Sequence, residues 1–188
     1  MITAGHDLAR RKSFSGIPVE DVLHVTIDGV TYVSHEDPVW RGESNLMAMV
    51  DLAPFDLPGM REQLWLQEVD EGGGYEVSCI PFYAYGVALG DVVGTSDAHD
   101  VVRVIRKSGR RAIRVLFTEP RPSVDSRSAL RAAVQSANLL SEWNGDRMVA
   151  IDFPNDSSGQ SIVDSIQSEV EDGTAFWEWS DSMEFSPA

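Results

Sequence analysis

The run Ile80-Pro81-Phe82-Tyr83-Ala84-Tyr85-Gly86-Val87-Ala88-Leu89-Gly90-Asp91-Val92-Val93 is apolar almost throughout, and the chain is expected to be built around it. Pro81 has no amide hydrogen to give a β ladder, so a strand over residues 75–80 must stop there or follow an edge. Gly86 and Gly90 admit positive φ or close backbone approach, and residues 86–89 fit one compact turn before Asp91-Val92-Val93 opens another strand. Phe82, Tyr83 and Tyr85 then anchor the turn to the core. A competing reading makes Phe82, Tyr83, Tyr85, Gly86, Gly90 and Asp91 a ligand pocket, because pockets are largely apolar with a few polar groups.

On the amino-terminal side the pattern alternates. Residues 23–35 flank Asp28-Gly29, the pair that a type I′ hairpin turn prefers. Leu23, Val25, Ile27, Val30 and Tyr32 share one face, while His24, Thr26, Thr31, Val33 and His35 share the other, more polar one. Both histidines are expected to be exposed, and no metal site is expected, since neither Glu36 nor Asp37 has a spacing that fixes one. Residues 46–52 suit a strand or a short helix before Pro54 and Pro58-Gly59 break the chain. Residues 63–69 and 75–80 read as strands joined by the glycine-rich loop 70–74. That loop is no phosphate cradle, because a strand and no lysine follow it. Residues 101–106 and 111–117 are expected to pair around Lys107-Ser108-Gly109-Arg110.

Beyond Pro120 and Pro122 the period changes. Leu130, Ala133, Val134 and Ala137 place one helix over residues 126–138. Asn144-Gly145 reads either as a second type I′ turn between strands 139–143 and 146–153 or as the cap of a helix running on to Trp143. Ser157 and Gln160 have capping-box spacing, and Ile162, Val163, Ile166 and Val170 line a second helix that Gly173 ends. Residues 174–179 form a last aromatic strand. The order over 111–179 is β-α-β-β-α-β, that of a ferredoxin-like split unit. The expected class is α+β: a flexible tail over 1–16, a β-rich lobe of hairpins over 17–110, a ferredoxin-like lobe over 111–180 and an acidic tail over 181–188. Fusion of the two lobes into one domain, 17–180, is the alternative.

The motifs Leu64-Trp65, Gly74-Tyr75-Glu76-Val77, Ile80-Pro81-Phe82 and Gly90-Asp91-Val92-Val93 together resemble an uncharacterised bacterial domain family. The similarity extends through Val149-Ala150-Ile151-Asp152-Phe153-Pro154 to the last strand. The resemblance implies a single fold and a bacterial origin, and it brings no activity with it.

Charge bounds the function. Thirty acidic residues against fifteen basic ones give a net charge of −15, which disfavours nucleic-acid and anionic-membrane partners and suits a basic protein. No apolar run reaches the length of a membrane span and the amino terminus lacks an apolar block, so a cytoplasmic location is expected. The single cysteine, Cys79, excludes an internal disulfide and has the setting of a buried thiol. There is no Gly-x-Ser-x-Gly elbow, no catalytic residue can be nominated, and no cofactor is expected.

Basic residues concentrate in one segment, where Arg103, Arg106, Lys107, Arg110 and Arg111 could seat a carboxylate or phosphate, or instead pair with the chain's own acids. Glu169, Glu171 and Asp172 fall at a helix end, where carboxylates oppose the dipole, and with Glu178 they are the candidates for partner binding. The expected function is that of a non-catalytic acidic protein binding a basic partner, as an immunity protein or antitoxin does. The alternative is a small-molecule or peptide-binding regulatory domain, or an enzyme, using the corner 80–93 and the nearby basic hairpin.

Overall fold

The computed structural model describes residues 24–42, 46–70, 73–118, 124–154 and 159–187. The expected flexible tail over 1–16, Ala188 of the expected acidic tail over 181–188, and the cap at Ser157 lie outside them. Asp28 and Gly29 both take positive φ, 51° and 82°, so the two-residue turn folds as its sequence demands and pairs β1 (His24–Ile27) with β2 (Val30–Val33) in the register His24 to Val33. The face assignment is reversed, however. Val25 and Ile27 are exposed on this edge strand, whereas Val33 and His35 are buried.

Two strands follow, β3 (Leu46–Asp51) and the long β4 (Met60–Glu68), paired antiparallel; β4 also takes β2 in parallel. The strand option for residues 46–52 is therefore the one realised. β5 (Tyr75–Val77), β6 (Val92–Thr95) and β7 (Val101–Arg106) extend the sheet as an antiparallel meander. The sheet curls on itself: Met49 makes a parallel bridge to Asp100, and its amide donates to the His99 carbonyl at 2.9 Å.

The second sheet has the order β11-β8-β10-β9, antiparallel throughout, from β8 (Arg111–Phe117), β9 (Ser141–Asn144), β10 (Met148–Phe153) and β11 (Ala175–Trp179). The expected pairing of β7 with β8 does not occur, since they belong to different sheets. The turn between them is pinned elsewhere: the Ser108 amide donates to Asp91 at 2.7 Å, Ser108 Oγ donates to the Leu89 carbonyl at 2.8 Å, and Arg110 grips Asp152 on β10. The chain therefore crosses between sheets instead of folding back.

Helix α1 (Val124–Ser136) buries Leu130 and Val134. Ala137 lies past its end and is exposed, and Asn138 follows in the left-handed region. Gly145 to Arg147 make a three-residue connection, because Met148 pairs with Asn144 and the Arg147 guanidinium is drawn in to donate to the Phe117 and Thr118 carbonyls. The expected second helix is broken into α2 (Gln160–Asp164) and α3 (Gln167–Asp172). At the break Ser165 Oγ donates to the Ile162 carbonyl, a side-chain bond that competes with helix continuation.

β8 and β10 are buried on both faces. Ile113, Val115, Val149 and Ile151 pack with Leu130 and Ile162 of the helices and with Ile166 at the break, while Ala112, Leu116, Met148 and Ala150 join the core of the first sheet. Residues 78–91 lie in that second core with every residue buried, although none belongs to a strand or helix. Gly86 takes φ +66°, and a Cβ there would lie 2.1 Å from the Phe185 amide nitrogen. Gly29 takes φ +82° with open space around it. Gly86→Ala is therefore expected to cost well over the roughly 1 kcal/mol of left-handed strain alone, and Gly29→Ala only that strain; urea unfolding of the two variants measures the difference.

Candidate functional site

An irregular segment buried end to end carries backbone amides and carbonyls that need partners, because an unpaired buried polar group costs on the order of 1–3 kcal/mol. Side chains from both sheets supply them. Glu62 of β4 accepts from the amides of Phe82 at 2.5 Å, Tyr83 at 3.0 Å and Ala84 at 2.7 Å. Glu142 of β9 accepts from the Ile80 amide at 2.8 Å and the Val39 amide at 3.1 Å. These bonds explain why β5 stops at Val77, short of Pro81: the amides of residues 80–84 go to carboxylates rather than to a ladder.

His35 lies between the two carboxylates, with Nδ1 2.5 Å from Glu142 and Nε2 3.1 Å from Glu62. Its ring stacks on Phe82, centroids 4.4 Å apart. Burial alone would lower the pKa of His35, but its contacts with Cys79, Glu142 and Glu62 outweigh that and hold it well above 6.5. Burial alone would likewise raise Glu62; the hydrogen bond and charge of His35, with the loop amides, hold it below 4.5. Cys79 is a thiol pushed up by burial, and its sulfur accepts from the Trp65 amide at 3.4 Å.

The carbonyl side of the same turn is held by Arg114 of β8. Its guanidinium donates to the Phe82 carbonyl at 3.0 Å, lies 3.2 Å from Glu178 and sits 4.1 Å over the Tyr85 ring. The Tyr85 hydroxyl donates to Glu178 at 2.7 Å. Burial raises the pKa of Glu178 against the pull of Arg114 and Tyr85. At its far end the loop is closed by Asp91, which accepts from the Ala88 and Ser108 amides and pairs with Lys107 at 3.2 Å.

The residues singled out from sequence divide accordingly. Phe82, Tyr83, Tyr85, Gly86, Gly90 and Asp91 come together, but packed against protein: Phe55 and Phe185 against Tyr85 and Gly86, Trp40 against Gly90. Of the basic group, Lys107 is on Asp91 and the Gly86 carbonyl, Arg110 on Asp152, and Arg111 on Asp181 and the Trp179 ring. Arg103 and Arg106 are exposed on β7, so the five do not form one anion seat. Glu171 and Asp172 are exposed on α3, and Glu169 accepts from Ser126. Glu178 is not at the surface; it is buried by its bonds to Arg114 and Tyr85. His35, expected to be exposed, is buried because Glu62 and Glu142 receive it.

Glu62, Glu142 and Arg114 were not singled out from sequence, and a signal existed for two of them. Glu62 falls on the apolar side of the alternation Met60, Glu62, Leu64, Leu66, and Arg114 interrupts Ala112-Ile113-Arg114-Val115-Leu116-Phe117. A charge at a core position of a strand must be paired or neutralised. Glu142 stands in a strand of four residues and gives no such signal.

Because folded His35 keeps its proton where an unfolded histidine, near 6.5, loses it, its stabilising contribution is complete below about pH 6.5 and is lost as pH rises toward the folded value. As pH rises above about 6.5 toward the raised folded value, stability should fall by up to about 1.4 kcal/mol per pH unit from this group. His35→Gln should be less stable at pH 7 and lose that slope, as read by urea unfolding at several pH values.

Among curated proteins none matches this chain. A crystal structure of a hypothetical protein from Neisseria gonorrhoeae is similar in fold, with a TM-score of 0.55 and 19% identity over 78% of this chain and 99% of that one. A family model described as "Domain of unknown function (DUF4265)" matches residues 62–178, a span that opens at Glu62 and closes at Glu178. The chain belongs to this family of domains of unknown function.

Proposed function

We propose that this chain is a non-catalytic, cytoplasmic binding protein whose acidic surface neutralises a basic protein partner, in the manner of an immunity protein or antitoxin. The observation that carries this reading is the charge balance of the chain, thirty acidic residues against fifteen basic ones. Among the described residues, Arg114 and Arg147 are buried, and Arg61, Arg110, Arg111 and Arg127 pair with Asp100, Asp152, Asp181 and Asp146, of which Asp152 is buried. Glu36, Asp37, Glu68, Asp164, Glu171 and Asp172 face solvent. Burial takes in five acids, Glu62, Asp91, Glu142, Asp152 and Glu178, so the reading rests on the acids that remain outside, whose excess steers a cationic partner at long range.

Two further features support this reading over an enzyme or ligand pocket at the 80–93 corner. The imidazole, thiol and carboxylates that could do chemistry are buried, and their hydrogen bonds hold the loop. The corner itself is filled by Phe55, Trp40 and the segment around Phe185. We also read the second sheet and its helices as a ferredoxin-like unit, with its second helix in two pieces; the antiparallel order β11-β8-β10-β9, with β8 and β10 central, supports that reading.

The test is capture from native lysate on the immobilised protein. A cationic protein should be retained at low salt and released as the screening length falls from about 30 Å to about 3 Å. The double variant Glu171→Lys, Asp172→Lys should weaken retention by several-fold at unchanged melting temperature. Absent capture, or capture indifferent to salt, contradicts the proposal.

A further inference from the structure

β6 and β7 meet through two register shifts, between Val92 and Val93 and between Gly94 and Thr95. Bulges of this kind bend a strand and re-aim its side chains. Beside them lies an open cavity of about 520 Å³, bounded by Gly74 at one end and the turn from Ser96 to His99 at the other.

Two of the glycines that line it, Gly94 and Gly74, meet side chains of β7. A Cβ on Gly94 would lie 2.9 Å from Arg103 Nε and 3.2 Å from Arg103 Cγ, and one on Gly74 would lie 2.8 Å from Ile105 Cδ1. Gly94 has an ordinary negative-φ backbone that any residue could adopt, so what its missing side chain provides is space. That space lets Arg103 lie flat across the sheet, and glycine inside a strand marks such close approach.

Arg103 and Arg106 differ from the basic residues that follow them, and of the two only Arg103 lines the cavity. Lys107, Arg110, Arg111 and Arg114 each meet a carboxylate of the chain. Arg103 has no ion pair or hydrogen bond among the described residues, and its guanidinium lines the cavity. His99, on the same rim, is a non-glycine residue at φ +61°. It is held there by its amide on the Ser96 carbonyl and its carbonyl on the Met49 amide. Left-handed non-glycine residues are strained and gather at ligand clamps. Asp97 also lines the cavity, and its carboxylate favours a singly charged carboxylate over a phosphate monoester, which carries about two negative charges at neutral pH.

We propose that this cavity binds a small ligand with a single oxyanion group, a carboxylate or a phosphate ester, seated on the Arg103 guanidinium with its apolar part along Ile105 and Tyr75. An arginine fork accepts either oxyanion through two parallel hydrogen bonds, which lysine cannot reproduce. This site is independent of the acidic surface invoked above, since its recognition is of an anion.

Titration calorimetry and backbone-amide chemical shifts with benzoate and with phenyl phosphate test it. At least one probe should saturate, with shifts centred on residues 94–105, and which one saturates distinguishes carboxylate from phosphate. Arg103→Lys, a surface change that keeps the charge, should weaken binding at least tenfold at unchanged melting temperature, and Gly94→Ala should abolish it. If neither probe saturates, or if Arg103→Lys binds as the parent does, the proposal is wrong.

Discussion

Two buried carboxylates, Glu62 and Glu142, hold the structure to its form. Between them they accept five backbone amides, four from the stretch 80–84. Without those acceptors an apolar segment interrupted by Pro81 and Gly86 could not sit inside the protein, since neither helix nor ladder is open to it. His35 then makes the carboxylates tolerable. A buried carboxylate without a counter-charge would take up a proton and lose acceptor capacity; the His35 imidazolium beside Glu62 helps hold that carboxylate ionised.

The same arrangement joins the two sheets. Glu62 comes from the first, Glu142 and Arg114 from the second, and His35 follows the hairpin at the far edge. The loop is therefore an inner layer to which both sheets are bonded, and the shared apolar core around Leu64, Tyr83, Leu116 and Met148 is continuous through it. Arg114, paired with Glu178, does for the carbonyls of Phe82 and Ala84 what Glu62 and Glu142 do for the amides. Removing one member of a buried charge set usually costs more than the set contributes over an apolar replacement, so the network serves to specify one loop conformation.

What the sequence disclosed was local. Asp28-Gly29 dictates its own turn, the glycine-rich loop before Tyr75 separates two strands, and the spacing of Leu130 and Val134 announces a helix. What it concealed depended on distant partners. Arg111 to Phe117 looks like the return strand of a hairpin, and only Asp91 and Asp152, brought from elsewhere, direct it into the second sheet. The alternation around His35 has two plausible inner faces; the polar one is inward because two glutamates remote in sequence wait there. The apolar Val25 and Ile27 face outward on an edge strand. The basic cluster read as one feature because its members are adjacent in sequence, but a change of sheet in its midst sends them to separate partners.

The central claim is that side-chain carboxylates, acting in place of a ladder, hold residues 80–84 as firmly as a strand. Native-state hydrogen exchange measures this directly. The amides of Ile80, Phe82, Tyr83 and Ala84 should exchange only with global unfolding, as slowly as those of Val115 and Ile151, and in a Glu62→Gln variant the Phe82, Tyr83 and Ala84 amides should exchange by local opening while Val115 and Ile151 do not. Rapid exchange of these amides in the unaltered protein, or exchange in the variant that changes no more than that of Val115, would contradict the account.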